Sequence, residues 1–286
     1  MPMKFTKLGA FACRHAESPV WCEKQNCFYF VDIGTGATHR YHQNGRSEIF
    51  YSSATVSSVC LASSLNVLVS GWNELTTIPS QTRLSAPSLP VGVRFNEARP
   101  DAIGRYWITT MDLKESSPIG ALYSYSVDDG WQRALDGLVV GNGIGWSIDN
   151  RKMYLTDSGR GEIYQFDFDL HSGSLTNRRL FATVPVKDGV PDGLVVDSDD
   201  CVWSAHFDGG RVTRYRPTGS IELSMDLPLR SPTSICFGGP SLSDLLVTSS
   251  VSGSAEPRPL DGSVLVIATE FQGIRSNRIS ERCFKL

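Results

Sequence analysis

The sequence predicts an all-β chain folded as a six-bladed β-propeller, and three observations predict it. Short apolar runs of strand length alternate with Gly, Asp, Ser and Asn turns along the chain. No long segment carries apolar residues at helical spacing. The runs also recur. With Tyr29, Leu68, Trp107, Tyr154, Trp203 and Leu246 taken as equivalent, the period is 39 to 49 residues, the length of a four-stranded propeller blade.

Each unit can be read in order. Tyr29-Phe30-Val31-Asp32 leads to His39-Arg40-Tyr41 and a turn at Asn44-Gly45. The second and third units are marked by Val67-Leu68-Val69 and Arg105-Tyr106-Trp107-Ile108. Tyr154-Leu155-Thr156-Asp157 leads to Ile163-Tyr164-Gln165-Phe166 and a turn at His171-Ser172-Gly173. Trp203-Ser204-Ala205 leads to Val212-Thr213-Arg214-Tyr215 and Thr218-Gly219, and Asp244-Leu245-Leu246-Val247 marks the sixth unit. Ser249 to Leu260 lacks alternation and reads as a long surface loop of the last blade. One blade cannot bury both faces of its sheet, so the units must pack radially and close. The expectation is a single domain over residues 1–286, with a β-sandwich or two smaller β domains as the less consistent arrangements.

Composition removes several classes of function. The chain has 286 residues, 41% hydrophobic and 20% charged, with a formal net charge of -3 and no basic run. A nucleic-acid or anionic-membrane binder needs a concentrated basic surface, so neither partner is expected. No apolar stretch reaches the length of a membrane span, and the start, Met1-Pro2-Met3-Lys4-Phe5-Thr6-Lys7, has no apolar core of a signal peptide. Seven scattered cysteines without a Cys-x-x-Cys pair fit reduced thiols, mostly as small core residues, and a cytoplasmic setting. A monomer or weak homo-oligomer is expected.

Three oxygen-bearing residues stand beside Gly or Pro in what read as turns. They are Glu17 in Ala16-Glu17-Ser18-Pro19-Val20-Trp21, Asn142 in Gly141-Asn142-Gly143, and Asp192 in Val190-Pro191-Asp192-Gly193. Two acids and an amide suit a hard divalent cation such as Ca²⁺, Mg²⁺ or Mn²⁺, and also Zn²⁺. Taken singly, Glu17 is also a buried or surface acid, and Asn142-Gly143 and Pro191-Asp192-Gly193 are ordinary turn pairs. Glu17 belongs to the first unit, and Asn142 and Asp192 precede Tyr154 and Trp203 by about a dozen residues, equal offsets that place residues at equivalent radial positions. Arg94 and Asn96, two positions apart, share one side of a strand. His206 fits a channel-lining or packing role. Gly34-Thr35-Gly36 lies in a hairpin turn with no helix after it, so no nucleotide loop is read there, and no Gly-x-Ser-x-Gly elbow is present.

These positions resemble the SMP-30/gluconolactonase/LRE-like family, which includes regucalcin and bacterial sugar lactonases. The resemblance rests on Glu17-Ser18-Pro19-Val20-Trp21, Phe30-Val31-Asp32-Ile33, Arg94-Phe95-Asn96, Gly120-Ala121-Leu122-Tyr123, Asn142-Gly143, Trp146-Ser147, Asp157-Ser158, Asn177-Arg178-Arg179, Pro191-Asp192-Gly193, Gly209-Gly210-Arg211-Val212 and Cys236-Phe237-Gly238-Gly239. It implies a propeller with one divalent metal in its central channel, whether Ca, Zn, Mn, Mg or Fe(II). Glu17, Asn142 and Asp192 are the implied ligands, and Asp192 the implied base. Arg94 and Asn96 are the implied contacts to substrate hydroxyls, and Glu115 corresponds to a family acid at a spacing one residue off. Glu97 stands where many members have Asp, and Thr109 where many have Gly.

The implied activity is metal-dependent hydrolysis of a sugar acid lactone, such as gluconolactone or a pentonolactone, to the aldonic acid. The alternatives are a non-catalytic calcium-binding regulator of regucalcin type and a metal-dependent esterase or phosphotriesterase. A carboxylate on a cation is a weakened base, so either the free oxygen of Asp192 takes the proton or the cation itself activates the water.

Overall fold

The computed structural model describes residues 5–62, 66–252 and 258–280. Its strands form six antiparallel sheets of four strands each. The first strands of the six blades are Ala16–Cys22, Ser58–Leu61, Val93–Pro100, Gly141–Trp146, Val190–Val196 and Ser231–Gly238. Each first strand packs against the first strand of the next blade, and the sixth packs against the first. The ring is therefore closed, and these strands line its axis. Five blades take their four strands consecutively from the chain. The sixth takes its outermost strand, Phe5–Lys7, from the N-terminus, which pairs with Leu265–Ala268. Joining the two ends of the chain in one sheet covers an edge that would otherwise be free to pair with another molecule.

The recurring aromatic and leucine positions have a common structural meaning. Tyr29, Leu68, Trp107, Tyr154, Trp203 and Leu246 all lie in second strands, opposite Val20, Cys60, Arg99, Gly145, Val195 and Cys236 of the first strands. All six are fully buried. They fill the wedges between neighbouring blades, and the apolar clusters they belong to draw on strands from adjacent sheets. Burying a side chain of this size contributes roughly 1.5–3 kcal/mol, and without the neighbouring blade that burial is lost.

A second recurring device fixes the indoles. Asp197 is fully buried and accepts hydrogen bonds from Trp203 Nε1 at 2.7 Å and Arg214 Nε at 2.7 Å. In blade 3, Asp101 receives Trp107 Nε1 at 3.0 Å and Arg105 Nη1 at 3.1 Å. A buried carboxylate is tolerated here because a guanidinium and several N–H groups surround it.

No α-helix occurs among the described residues. The only helical pieces there are 3-10 turns at Ser158–Arg160 and Val186–Asp188. Among the described residues no helix is long and apolar enough to cross a membrane. Gly34 to Gly36 form the hairpin turn between the second and third strands of blade 1, as expected. The six described cysteines are free and buried, and Cys283 lies outside the described residues. One expectation needs correction. Ser249 and Ser250 belong to the strand Asp244–Ser250, because their backbone continues pairing with Ser231 and Pro232. Of the predicted loop, residues 253–257 lie outside the described residues.

Asp197→Ala should cost about 3–5 kcal/mol, because it strands a buried guanidinium and an indole N–H together. Urea unfolding measures this, and a loss below about 1 kcal/mol would contradict the role given to the Asp–Arg–Trp unit.

Candidate metal and substrate site

Counting three residues back from each register pair gives one residue per blade: Glu17, Ser57, Asn96, Asn142, Asp192 and Thr233. In five of the six blades the pairing of the first strand is interrupted here, between Glu17 and Val20, Phe95 and Ala98, Gly141 and Ile144, Pro191 and Leu194, and Pro232 and Ile235. A bulge turns a side chain out of the sheet without ending the strand. The turn setting expected for Glu17, Asn142 and Asp192 is thus corrected. All three lie inside strands, at bulges, and are buried. Their glycine neighbours mark crowding between strands. A Cβ on Gly143 would stand 2.5 Å from the Leu194 nitrogen, and one on Gly193 would stand 2.7 Å from the Ser234 Cα.

Glu17, Asn142, Asp192, Arg94, Asn96 and Glu115 all line one cavity of about 300 Å³ at the end of the channel where the first strands begin. Ser57 and Thr233 do not line it, and their hydroxyls are already bonded. Ser57 donates to Gly71 O at 3.1 Å, and Thr233 meets Thr248 Oγ1 at 2.8 Å and donates across to Ala16 O of blade 1. Asn142 Nδ2 donates to the Asp192 carboxylate and, at 3.3 Å, to Ser158 Oγ. Its Oδ1 is buried without a hydrogen-bond partner. An unsatisfied buried carbonyl oxygen costs about 1–3 kcal/mol and calls for a ligand. One Glu17 oxygen accepts the Ser18 amide at 2.7 Å. The three residues therefore present hard oxygen donors and fit a divalent cation.

The electrostatics point the same way. Burial pushes the Glu17 carboxyl up to about 8, with the charge of Glu97 adding to the rise. Asp192 is driven well above the ordinary carboxylate value, first by burial and then by the charges of Glu17, Glu97 and Glu115. A nearby cation reverses both effects. Arg94 Nη1 donates to Asn96 Oδ1 and to Phe95 O, each at 2.9 Å, and its guanidinium lies 5.9 Å from the Trp72 ring centre. Asn96 Nδ2 donates to Gly141 O at 2.9 Å. Glu115 is exposed at the rim, in the turn after Tyr106–Asp112, with a left-handed φ of 54°.

Glu97 is held one level deeper. It is buried, pairs with Arg99, and accepts a hydrogen bond from Ser18 Oγ at 3.4 Å. Arg99 Nη1 also donates to Ser18 Oγ at 3.0 Å. Thr109 donates to Glu97 O at 3.2 Å and Gly141 O at 2.9 Å, so it ties blade 3 to blade 4 behind the site. A second cavity of about 310 Å³ opens at the opposite end of the channel, with no carboxylate among its lining residues.

His15, Met111, Val140, Ser158, Val190 and Phe207 also line the first cavity, and sequence reasoning did not select them as site residues. His15 could have been suspected from its place two residues before Glu17. Its imidazole is brought down to about 4 by burial and then by the charge of Arg94, so it faces the cavity neutral. His206 has the packing role and does not line the cavity. Its Nδ1 lies 3.1 Å from Asp188 O, and its Nε2 lies 3.3 Å from the Tyr215 hydroxyl.

The molecule is a closed six-bladed propeller with an acid–amide–acid cluster lining a cavity at one end of its axis. The chain belongs to the SMP-30/gluconolactonase/LRE-like family, whose model matches residues 15–251. It is 33% identical to regucalcin of Gallus gallus over 269 residues, covering 88% of each chain. It is 30% identical to a pentonolactonase of Haloferax volcanii over 249 residues, covering 86% of this chain and 85% of that one. The crystal structure of a calcium-binding protein, regucalcin from Agrobacterium tumefaciens, superposes with a TM-score of 0.88 at 21% identity, covering 97% of both chains.

Burial lowers the His206 pKa from 6.5 to about 4. The folded protein therefore keeps the imidazole neutral while the unfolded chain gains a proton as pH falls through 6.5. Stability is lost between pH 6.5 and about 4, by about 3 kcal/mol from this residue. In urea unfolding at both pH values, His206→Gln should remove that part of the loss. An equal loss in both proteins would contradict it.

Proposed function

We propose that this chain, acting as one propeller domain, is a divalent-metal-dependent lactonase that opens an aldonolactone, such as gluconolactone or a pentonolactone, to its acid. The observation that carries the reading is the unpartnered, buried Asn142 Oδ1, on a side chain bonded to Asp192 in a cavity shared with Glu17, Arg94 and Asn96. The name of one relative, pentonolactonase, and the gluconolactonase in the family's description support it. A cavity of about 300 Å³ suits one sugar ring, being at the small end of ligand pockets.

Glu17, Asn142 and Asp192 would hold the cation, which as a Lewis acid supplies charge stabilisation at the lactone carbonyl oxygen. Arg94 and Asn96 bind ring hydroxyls and orient the ester. Burial lowers Arg94 from the ordinary arginine value, and the charges of Glu115, Glu17 and Asp192 act against that fall. Glu115, at the rim, accepts a hydrogen bond from a hydroxyl of the sugar. Asp192 takes a proton from the attacking water through the carboxylate oxygen not committed to the cation. It returns that proton to the ring oxygen as the C–O bond breaks. Water adds across the ester, and no other reactant is needed. His15, neutral beside Arg94, and Phe207 shape the wall around the substrate. The free buried cysteines support a reducing, cytoplasmic setting.

Asp192→Ala should lower kcat/KM by at least about 10³-fold, measured as indicator-detected acid release from a panel of aldonolactones with Ca²⁺, Mn²⁺, Mg²⁺ and Zn²⁺. Substantial metal-dependent turnover in that variant would sink the assignment, and cation binding without turnover of any lactone would favour the regulatory reading. Arg94→Ala should act mainly on KM, raising it about 10–100-fold while metal affinity measured by calorimetry changes little. A loss confined to kcat would argue against hydroxyl binding.

A further inference from the structure

Outside the lining of the channel cavity, three side chains of different chemistry converge between blade 1 and the segment that anchors it to blade 6. They are Cys13, in the segment leading into the first strand, Asp32, at the end of the second strand, and His39, in the third strand, Ala37–His42. The sulfur, a carboxylate oxygen and a ring nitrogen lie within 4.8 Å of one another. Each is fixed by its own support. The Cys13 amide donates to Gly262 O at 2.8 Å, anchoring this segment to blade 6. His39 stacks on Phe30 with ring centres 5.0 Å apart and meets Phe11 edge-on at 5.2 Å. Asp32 accepts the amides of Arg14, His15 and Gly34 at 3.1, 2.9 and 3.1 Å.

Asp32 is the group that needs an explanation. It is buried at 2% exposure. Asp157, at the same position of blade 4, likewise accepts two amides, from Val139 and Val140, but it adds the Arg160 guanidinium at 3.1 Å. Among the described residues Asp32 has no such cation. A carboxylate has about four acceptor positions, so three amides leave one free. Beside that free position stand a thiol and an imidazole. Burial and the charge of Asp32 push the Cys13 thiol up to about 12, and burial keeps His39 neutral with a lone pair to offer. An uncompensated carboxylate beside a sulfur and a neutral nitrogen is the donor set of a borderline-soft divalent ion, not of Ca²⁺ or Mg²⁺.

We propose that Cys13, Asp32 and His39 form a second metal site, distinct from the channel, that binds Zn²⁺ or a similar transition-metal ion. Binding forms the metal–sulfur bond and releases the thiol proton to solvent. A thiolate, a carboxylate and a neutral imidazole then balance the two positive charges within a largely apolar surround of Leu8, Phe11 and Phe30. Tetrahedral zinc, with bonds of about 2.0–2.3 Å, sets its ligand atoms ~3.5 Å apart, so groups now within 4.8 Å of one another close by up to about 1.3 Å. The fourth position is left to water on the half-buried His39 side. The ion would tie the entry segment and two strands of blade 1 together where the ring closes on blade 6.

The test uses the full chain, stripped by chelator and titrated with Co²⁺. A thiolate-to-cobalt charge-transfer band should saturate at one equivalent and be displaced by Zn²⁺. The oxygen donors of Glu17, Asn142 and Asp192 cannot give that band, so it should persist in Asp192→Ala, whatever becomes of the lactonase reading. It should be lost in Cys13→Ser, and His39→Gln should weaken cobalt binding by at least about 10-fold. No band in the unmodified protein, or a band surviving Cys13→Ser, overturns the proposal. If Cys13→Ser fails to fold, unchanged cobalt affinity in His39→Gln overturns it instead.

Discussion

Closure of the six first strands into a ring is the constraint on which the rest depends. Each of these strands must touch its neighbours on both sides around a narrow axis. That contact leaves no room for a Cβ at Gly143 or Gly193, where the adjoining backbone stands within 3 Å of where it would be. It also buries polar side chains that a flat sheet would leave in water. The bulges answer both demands: they relieve the crowding and turn one side chain per strand out of the pairing plane. Glu17, Asn142 and Asp192 are neighbours because closure and bulging occur together.

The same geometry concentrates negative charge. Glu17, Glu97 and Asp192 influence one another's ionisation in a poorly solvated channel, with Arg94 on the cavity side and Arg99 below. Three carboxylates against two guanidinium groups is an arrangement that by itself disfavours full ionisation. Elsewhere the fold neutralises its buried acids locally, as Arg214 does for Asp197 and Arg105 for Asp101. At the channel the neutralisation is incomplete, and an amide oxygen is left unsatisfied beside it. The contrast between these acids within one protein is the physical ground for reading the channel as a cation site. Asp32, compared with Asp157, repeats the contrast on a smaller scale.

Much of the architecture was legible in the sequence, because each blade must bury a large apolar group at the same point of its second strand. Tyr29, Leu68, Trp107, Tyr154, Trp203 and Leu246 carry that signal at a period the eye can follow. Closure by Phe5–Lys7 was not legible, since a strand of three exposed residues has no pattern of its own. The turns read at Asn142-Gly143 and Asp192-Gly193 were misplaced for a related reason. A glycine required by crowding between two strands looks, in one dimension, like a glycine required by a turn.

What the sequence by itself determined is the repeat, and with it the equivalence of positions a dozen residues before each marker residue. It could also nominate oxygen-bearing side chains at those positions. Which of the nominated groups retain free donor atoms was decided only by the tertiary structure. Ser57 and Thr233 occupy the same ring position as Glu17, but Ser57 spends its hydroxyl within its own blade and Thr233 spends its own on Thr248 and on Ala16 of blade 1. His206 turns to Asp188 and Tyr215, while His15 faces the cavity. The reason is that hydrogen-bond satisfaction depends on neighbours distant in sequence, brought close by strand pairing within a blade and by contact between blades. Those neighbours are set by the folded sheets and the closure of the ring, not by local spacing along the chain.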